Sequence, residues 1–203
     1  MQSRLKGEAR TRLPDVDGAT GDDQVVAAIR ASLEVARARL SEADARDEAL
    51  AEFVPERRVM LITREARMVP VARVWRLGVL LLGASAGSGT TGAASAGLWA
   101  TGSITRVLEP GRPAYQSESA ERRRAYRAAA LRGHFPKGET VNFDASPIDL
   151  DATALAASAG PLLLHDGRAL VLWNATLGPK SATPLDAYLD DRVDLLIHPP
   201  EGA

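Results

Sequence analysis

The sequence predicts an α+β fold: a mostly antiparallel sheet with two or three packed helices and a long N-terminal helix. Three observations carry that expectation. Apolar residues recur at helical spacing near the N-terminus, at Val26, Ile29, Leu33, Ala36, Leu40, Ala43 and Leu50. Asp166-Gly167 stands between two apolar runs in LLLHDGRALVLWN, the signature of a hairpin with a type I′ turn. Between and beyond these, the elements read β-β-β-α-β-α-β-β-α with several antiparallel neighbours, which argues against a doubly wound sheet.

Taken in order, residues 1–20 are polar, carry Pro14 and Gly18, and are expected to be a disordered tail. Thr20-Gly-Asp-Asp23 has the spacing of a capping box. It opens a helix expected to run from Asp22 to about Phe53, so residues 21–54 are assigned to an amphipathic helix. Asp47 interrupts its stripe, Glu42 can pair with Arg46 one turn on, and Pro55 ends it. Residues 55–203 are assigned to the α+β domain. Strands are expected at Arg58–Thr63, at Val69–Leu82, at Leu98–Leu108 with a bulge at Gly102, and at Thr140–Asp144. One helix should begin near Ser117 or Ser119 and end at Gly133, with acids at its start and Arg132 near its end. Asp151 can cap a brief helix to Ala159. Thr183-Pro184-Leu185-Asp186 reads as a second capping box, opening a last helix that His198-Pro199-Pro200 terminates.

Composition excludes several function classes. The chain has 203 residues, a net charge of −1 and no cysteine. Disulfides, thiolate catalysis and Cys-ligated metals are therefore out. No basic field draws nucleic acid or anionic lipid. The 22 arginines against 3 lysines reflect GC-rich codons rather than a functional choice. No charge occurs between Leu77 and Thr105, a length that could span a bilayer, but its middle is Gly, Ala, Ser and Thr, which gain little in lipid. No hydrophobic run follows the first basic residues, so a secretory signal is not expected and the location expected is cytoplasmic.

The stretch VLLLGASAGSGTTG matches two catalytic patterns. Gly83 to Gly87 is G-x-S-x-G, which would make Ser85 a nucleophile with His198 as its base. Gly87 to Gly92 is G-x-G-x-x-G, with Glu109 at the distance of a ribose-binding acid. Every residue from 83 to 97 is Gly, Ala, Ser or Thr, and such a tract matches glycine patterns by chance. The expectation is a flexible loop joining two hairpin strands.

The remaining candidates are binding residues. Arg123 and Arg127, on a helix that also carries Arg122 and Arg124, could hold an anion, with His134 just beyond. Asn142 and Asp144 alternate with Val141 and Phe143; if the apolar pair faces the core, the polar pair shares an outer groove with Tyr115. Trp75, Trp99 and Trp173 each fall in an expected strand, and an exposed one would suggest a ligand face. The three histidines have no metal-ligand spacing, so neither metal nor cofactor is expected.

VPVARVWRLGVLLL, LWATGSITRV, YQSESAERRRAYRAAALRGHFPKGETVNFDA and LLIHPPEGA together resemble a family of small bacterial proteins, some of them labelled glutaminase. The resemblance runs from Val69 to Ala203, about two-thirds of the chain. Serine-dependent glutaminases use a Ser-x-x-Lys pair, matched here only by Ser3 and Lys6, and amidotransferase types need a cysteine, so no catalytic residue carries over. The leading expectation is a binding protein for a small anionic ligand, or for a protein partner or second copy met through residues 22–53. The alternatives are a small-molecule hydrolase of amidase type and an oligomeric structural component.

Overall fold

The computed structural model describes residues 16–59, 62–85, 97–110, 117–174 and 181–200. Among these residues the fold is α+β, with four α-helices, α1 (Val16–Glu42), α2 (Glu118–Arg132), α3 (Ala152–Ala156) and α4 (Leu185–Ile197). The main sheet contains β1 (Glu48–Val54), β4 (Arg67–Leu77), β5 (Leu80–Gly83), β6 (Leu98–Ala100), β7 (Ser103–Arg106), β8 (Thr140–Phe143) and β9 (Ser146–Pro147). A hairpin of β2 (Arg57–Val59) and β3 (Ile62–Arg64) stands apart, as does a small sheet of β10 (Leu162–His165), β11 (Arg168–Val171) and β12 (Thr183–Pro184).

The main sheet closes on itself. Its order is β7-β8-β1-β4-β5-β6-β9, so β6 and β7 lie five positions apart. Laid flat, that would separate them by roughly 24 Å at the usual strand spacing. Only Thr101 and Gly102 join them, a reach of about 11 Å. Register gives the resolution: Trp99↔Pro147, Ala100↔Ser146, Ser103↔Phe143 and Thr105↔Val141 belong to one antiparallel ladder. β6–β7 and β8–β9 are therefore two long strands bent at a shared point, and β8 returns to pair in parallel with β1. The result is a small barrel. Its bend falls at Gly102 and at Asp144, whose φ is 54°. A bulge at Gly102 was expected; the bend also ends the simple alternation, so Leu98 is buried while Ile104 and Leu108 are exposed.

Leu50, Val74, Leu81 and Trp99 fill the barrel. Outside, α2 lays Ala129 and Ala130 on Ala49, Ala51, Met68, Val141 and Phe143. The rings of Phe53, Tyr126 and Phe143 pack there, the last two at 4.7 Å between centroids. On the opposite flank α1 and α4 cover Trp75, Leu77, Leu80, Leu82 and Leu98. The stripe Val26, Ile29, Leu33, Ala36 and Leu40 is buried in this same core, so α1 lies on its own domain and spends its apolar face there. No helix among the described residues is long and apolar enough to cross a membrane.

Several boundaries correct the sequence reading. α1 is already helical from Val16, upstream of Thr20, and it ends at Glu42 rather than near Phe53. The stop is a Schellman motif. Asp44 takes the left-handed position at φ 49°, Ala45 N–H donates to the Leu40 carbonyl and Asp44 N–H to that of Ser41. Residues 48–54 then become the central strand β1, and Arg46 does not pair with Glu42. The expected tail falls outside the described residues up to position 15. The single strand over 69–82 is a β4–β5 hairpin turning at Gly78, φ 62°. A Cβ on Gly78 would run into the Tyr188 hydroxyl, which accepts from Val79 N–H at 2.9 Å and donates to the Leu77 carbonyl at 2.7 Å. Burial pushes the Tyr188 hydroxyl pKa up. The expected strand at 58–63 is the β2–β3 hairpin. At α4, Thr183 is in β12 and Pro184 is the N-cap without a side-chain bond; Asp186 instead accepts from Ser32 at 2.6 Å. Other elements match: Ser117 precedes α2, Asp151 caps α3 through Thr153 and Ala154 N–H, and Asp166-Gly167 has positive φ at both positions.

Asp44 in the left-handed region carries a penalty that glycine lacks. Asp44→Gly should stabilise the protein by about 0.5–1 kcal/mol, read as a higher urea midpoint at unchanged helical circular dichroism.

Candidate functional site

A charged cluster lies at one end of the barrel. The turn after α1 supplies Arg46 and Asp47, β1 supplies Glu48, β4 supplies Arg73 and Arg76, and β7 ends with Arg106. Lys137, Gly138 and Glu139 come from the turn into β8, which adds Thr140 and Asn142. Most of these groups surround a cleft of about 430 Å³. The turn is pinned against β7 by Gly138 N–H to the Val107 carbonyl and Val107 N–H to that of Glu139.

Alternation along β4 sends Arg73 to the outer rim and Arg76 inward. Arg73 is a clamp. Its Nε and Nη2 reach both Asp47 carboxylate oxygens at 3.1 and 2.7 Å, and its Nη1 binds Glu139. The hydrogen bonds from Arg73 hold the Asp47 carboxyl below its usual range, against the opposing effect of burial. Bonding to Asp47, then to Glu139, makes the Arg73 guanidinium hold its proton more tightly than usual.

The inner cluster is Glu48, Arg76 and Asn142. Asn142 is fully buried. Its Oδ1 accepts from Arg76 Nη2, while its Nδ2 donates to Glu48 Oε2 at 2.8 Å and to the Ala49 carbonyl at 3.1 Å. Arg76 Nε lies 3.6 Å from Glu48 Oε2 and has no hydrogen bond. Arg76 and Glu48 remain 28% and 24% exposed, so the cluster opens to solvent at the barrel's end, where Glu48 also lines the cleft.

Asn142 therefore does not face an outer groove. Val141 and Phe143 do face a core, the layer under α2, but the opposite face of β8 is the barrel interior rather than solvent. Asp144 is exposed at the bend. His134 sits just past α2 with φ 61°, where its backbone helps stop the helix. Arg123 is exposed and Arg127 half-buried on α2; among the described residues neither makes an ion pair. Tyr115 lies outside the described residues. Of the expected binding residues, only Asn142 enters the polar cluster.

Ser85 is exposed just after β5. Leu82 pairs with Leu98, and Gly83 N–H bonds the Gly97 carbonyl at 2.7 Å, so β5 and β6 are antiparallel neighbours. A nucleophile elbow and a dinucleotide fold both need a helical crossover there. The hairpin connection matches the sequence reading; most of the loop itself, 86–96, lies outside the described residues. His198, at the exposed end of α4, has Asp194 as its partner at 3.2 Å, and no hydrogen bond among the described residues joins it to Ser85. Trp75 and Trp99 are core residues, whereas Trp173 lies beyond β11 and is 58% exposed.

The architecture and cleft define an α+β barrel protein with a charged mouth. No protein-family model, curated protein or solved structure matches the chain.

Proposed function

We propose that this chain is a binding protein that takes a small anionic ligand, a phosphate or carboxylate, into the cleft at the barrel's end. One observation carries the reading. The acids of the cleft are already engaged: Asp47 and Glu139 with Arg73, and Glu48 with Arg76 and Asn142. Lys137 reaches away to Glu109 at 2.9 Å. Arg46 and Arg106 are left without an ion pair among the described residues, although Arg106 Nε donates to the Gly138 carbonyl at 3.0 Å. Two guanidinium groups beside a preformed hollow suit an oxyanion, which each can bind through paired N–H groups.

Isothermal titration with orthophosphate and with citrate at low ionic strength tests this. Charge-assisted hydrogen bonds contribute about 1.5–3 kcal/mol each, so R46A/R106A should weaken binding at least about tenfold. Arg122→Ala, an exposed position on α2 that does not line the cleft, should leave it unchanged. Equal affinity in R46A/R106A and the unaltered protein would refute the assignment.

A further inference from the structure

A second concavity, of about 360 Å³, shares no residue with the first. It is lined by Arg57 and Arg64 of the β2–β3 hairpin, Arg67 at the start of β4, Arg132 at the end of α2, and Glu65. Arg67 and Arg73 are six residues apart on one strand, which places this site roughly 20 Å from the cleft.

Three arginines converge here without a paired acid. Elsewhere the chain pairs many of its arginines: Arg37 with Glu34, Arg39 with Asp190, Arg73 with Asp47 and Glu139, Arg122 with Glu118, and Arg124 with Glu121. In this pocket the sole acid, Glu65, is consumed by a two-pronged bond to Arg132, at 3.0 and 3.2 Å. Arg132 also donates to the Ala66 carbonyl at 2.7 Å. The side chains of Arg57, Arg64 and Arg67 make no ion pair or hydrogen bond among the described residues. Arg57 and Arg64 are moreover direct cross-strand partners, so their side chains share one face. Like charges placed opposite one another destabilise a hairpin.

We infer that the pocket formed by Arg57, Arg64, Arg67 and Arg132 is a second binding site, for a small molecule bearing a diphosphate group. Three uncompensated guanidinium groups match an anion of charge near −3, and each offers the paired donors that phosphate oxygens accept. A volume at the low end of ligand pockets suits a diphosphate with a modest substituent. The anion supplies the negative charge that the hairpin lacks, so binding and local stability are linked. This inference stands apart from the anion cleft, because the arginines differ.

The experiment uses the full chain with inorganic pyrophosphate as ligand, and sulfate and orthophosphate at matched ionic strength as comparisons. Pyrophosphate should show one site at least about tenfold tighter than any site for either comparison, in addition to any weak binding at the anion cleft, and should raise the Tm by several degrees. In R57Q/R64Q that site should weaken at least about tenfold, while the ligand-free Tm should rise by about 1–3 °C as the repulsion is removed. R46A/R106A should keep pyrophosphate binding. Three results would overturn the inference: equal binding of sulfate and pyrophosphate, unchanged binding in R57Q/R64Q, or loss of the pyrophosphate site in R46A/R106A instead. Tighter binding of a single-stranded oligonucleotide at the same ionic strength would also overturn it, by assigning the arginines to a polymer backbone.

Discussion

Gly102→Ala should destabilise the protein by about 3 kcal/mol, a large effect for one methyl group. A Cβ at Gly102 would stand 2.6 Å from the Phe143 carbonyl oxygen and closer still to the carbonyl of Asp144. Both obstacles are main-chain atoms, so no rotamer change relieves the clash. The ladder holds them on either side, through Ser103↔Phe143 and Ala100↔Ser146. The obstructed point is also where the two bent strands turn together to close the barrel. The methyl group must therefore spread the strands or open the ring. Gly21→Ala is the matched control. Gly21 lies in α1 with nothing within 4 Å of a Cβ, so there alanine should stabilise by about 0.5–1 kcal/mol. Urea unfolding of both variants checks the pair. A loss below about 1 kcal/mol for Gly102→Ala would mean that the strands do not close at this contact.

That same residue shows what was legible in the sequence. Glycine inside an alternating run signals a bulge or a close approach, and Gly102 was read so. Asp166-Gly167 was equally clear, because few residue pairs accept positive φ at both turn positions. The end of α1 was hidden for the converse reason: an aspartate, not a glycine, occupies the left-handed stop at Asp44, and Leu50 prolongs the helical spacing by coincidence. The β4–β5 turn was hidden because Gly78-Val79 lies within a strongly apolar run. The charged cleft was the least legible part. Its members come from the α1–β1 turn, β1, β4, β7, the turn into β8 and β8 itself, and β1 had been assigned to a helix. Alternation on β8 is plain in the sequence, but it does not tell solvent from a second core, and a closed barrel buries both sides of a strand. That is why Asn142 was expected at the surface.

Asn142 supports the second large prediction. It is fully buried between a cation and an anion, and its neutral amide serves both: its carbonyl accepts from Arg76 and its NH₂ donates to Glu48. Asn142→Ala should destabilise by about 3 kcal/mol, since Arg76 and Glu48 each lose their partner on the fully buried side of the cluster and the Ala49 carbonyl loses its donor. Asn142→Asp, nearly the same shape, should be worse than alanine at neutral pH. The new carboxylate would keep Arg76 as a partner, which lowers its folded-state pKa. Full burial, and a Glu48 carboxylate facing it in place of an amide donor, act the other way, and together they outweigh that one contact and raise the pKa above the unfolded value of about 3.9. The folded state then takes up a proton before the unfolded state does. The penalty is thus complete at pH above the folded pKa and shrinks as pH falls through it. Comparing urea unfolding of the two variants at about pH 7 and about pH 5 separates this charge effect from simple loss of packing, because Asn142→Ala introduces no titrating group. The gap between aspartate and alanine should narrow toward the lower pH. A gap constant across that range, or an aspartate variant as stable as the unaltered protein at pH 7, would show that the Glu48–Arg76–Asn142 cluster is hydrated and does not require a neutral amide at its centre.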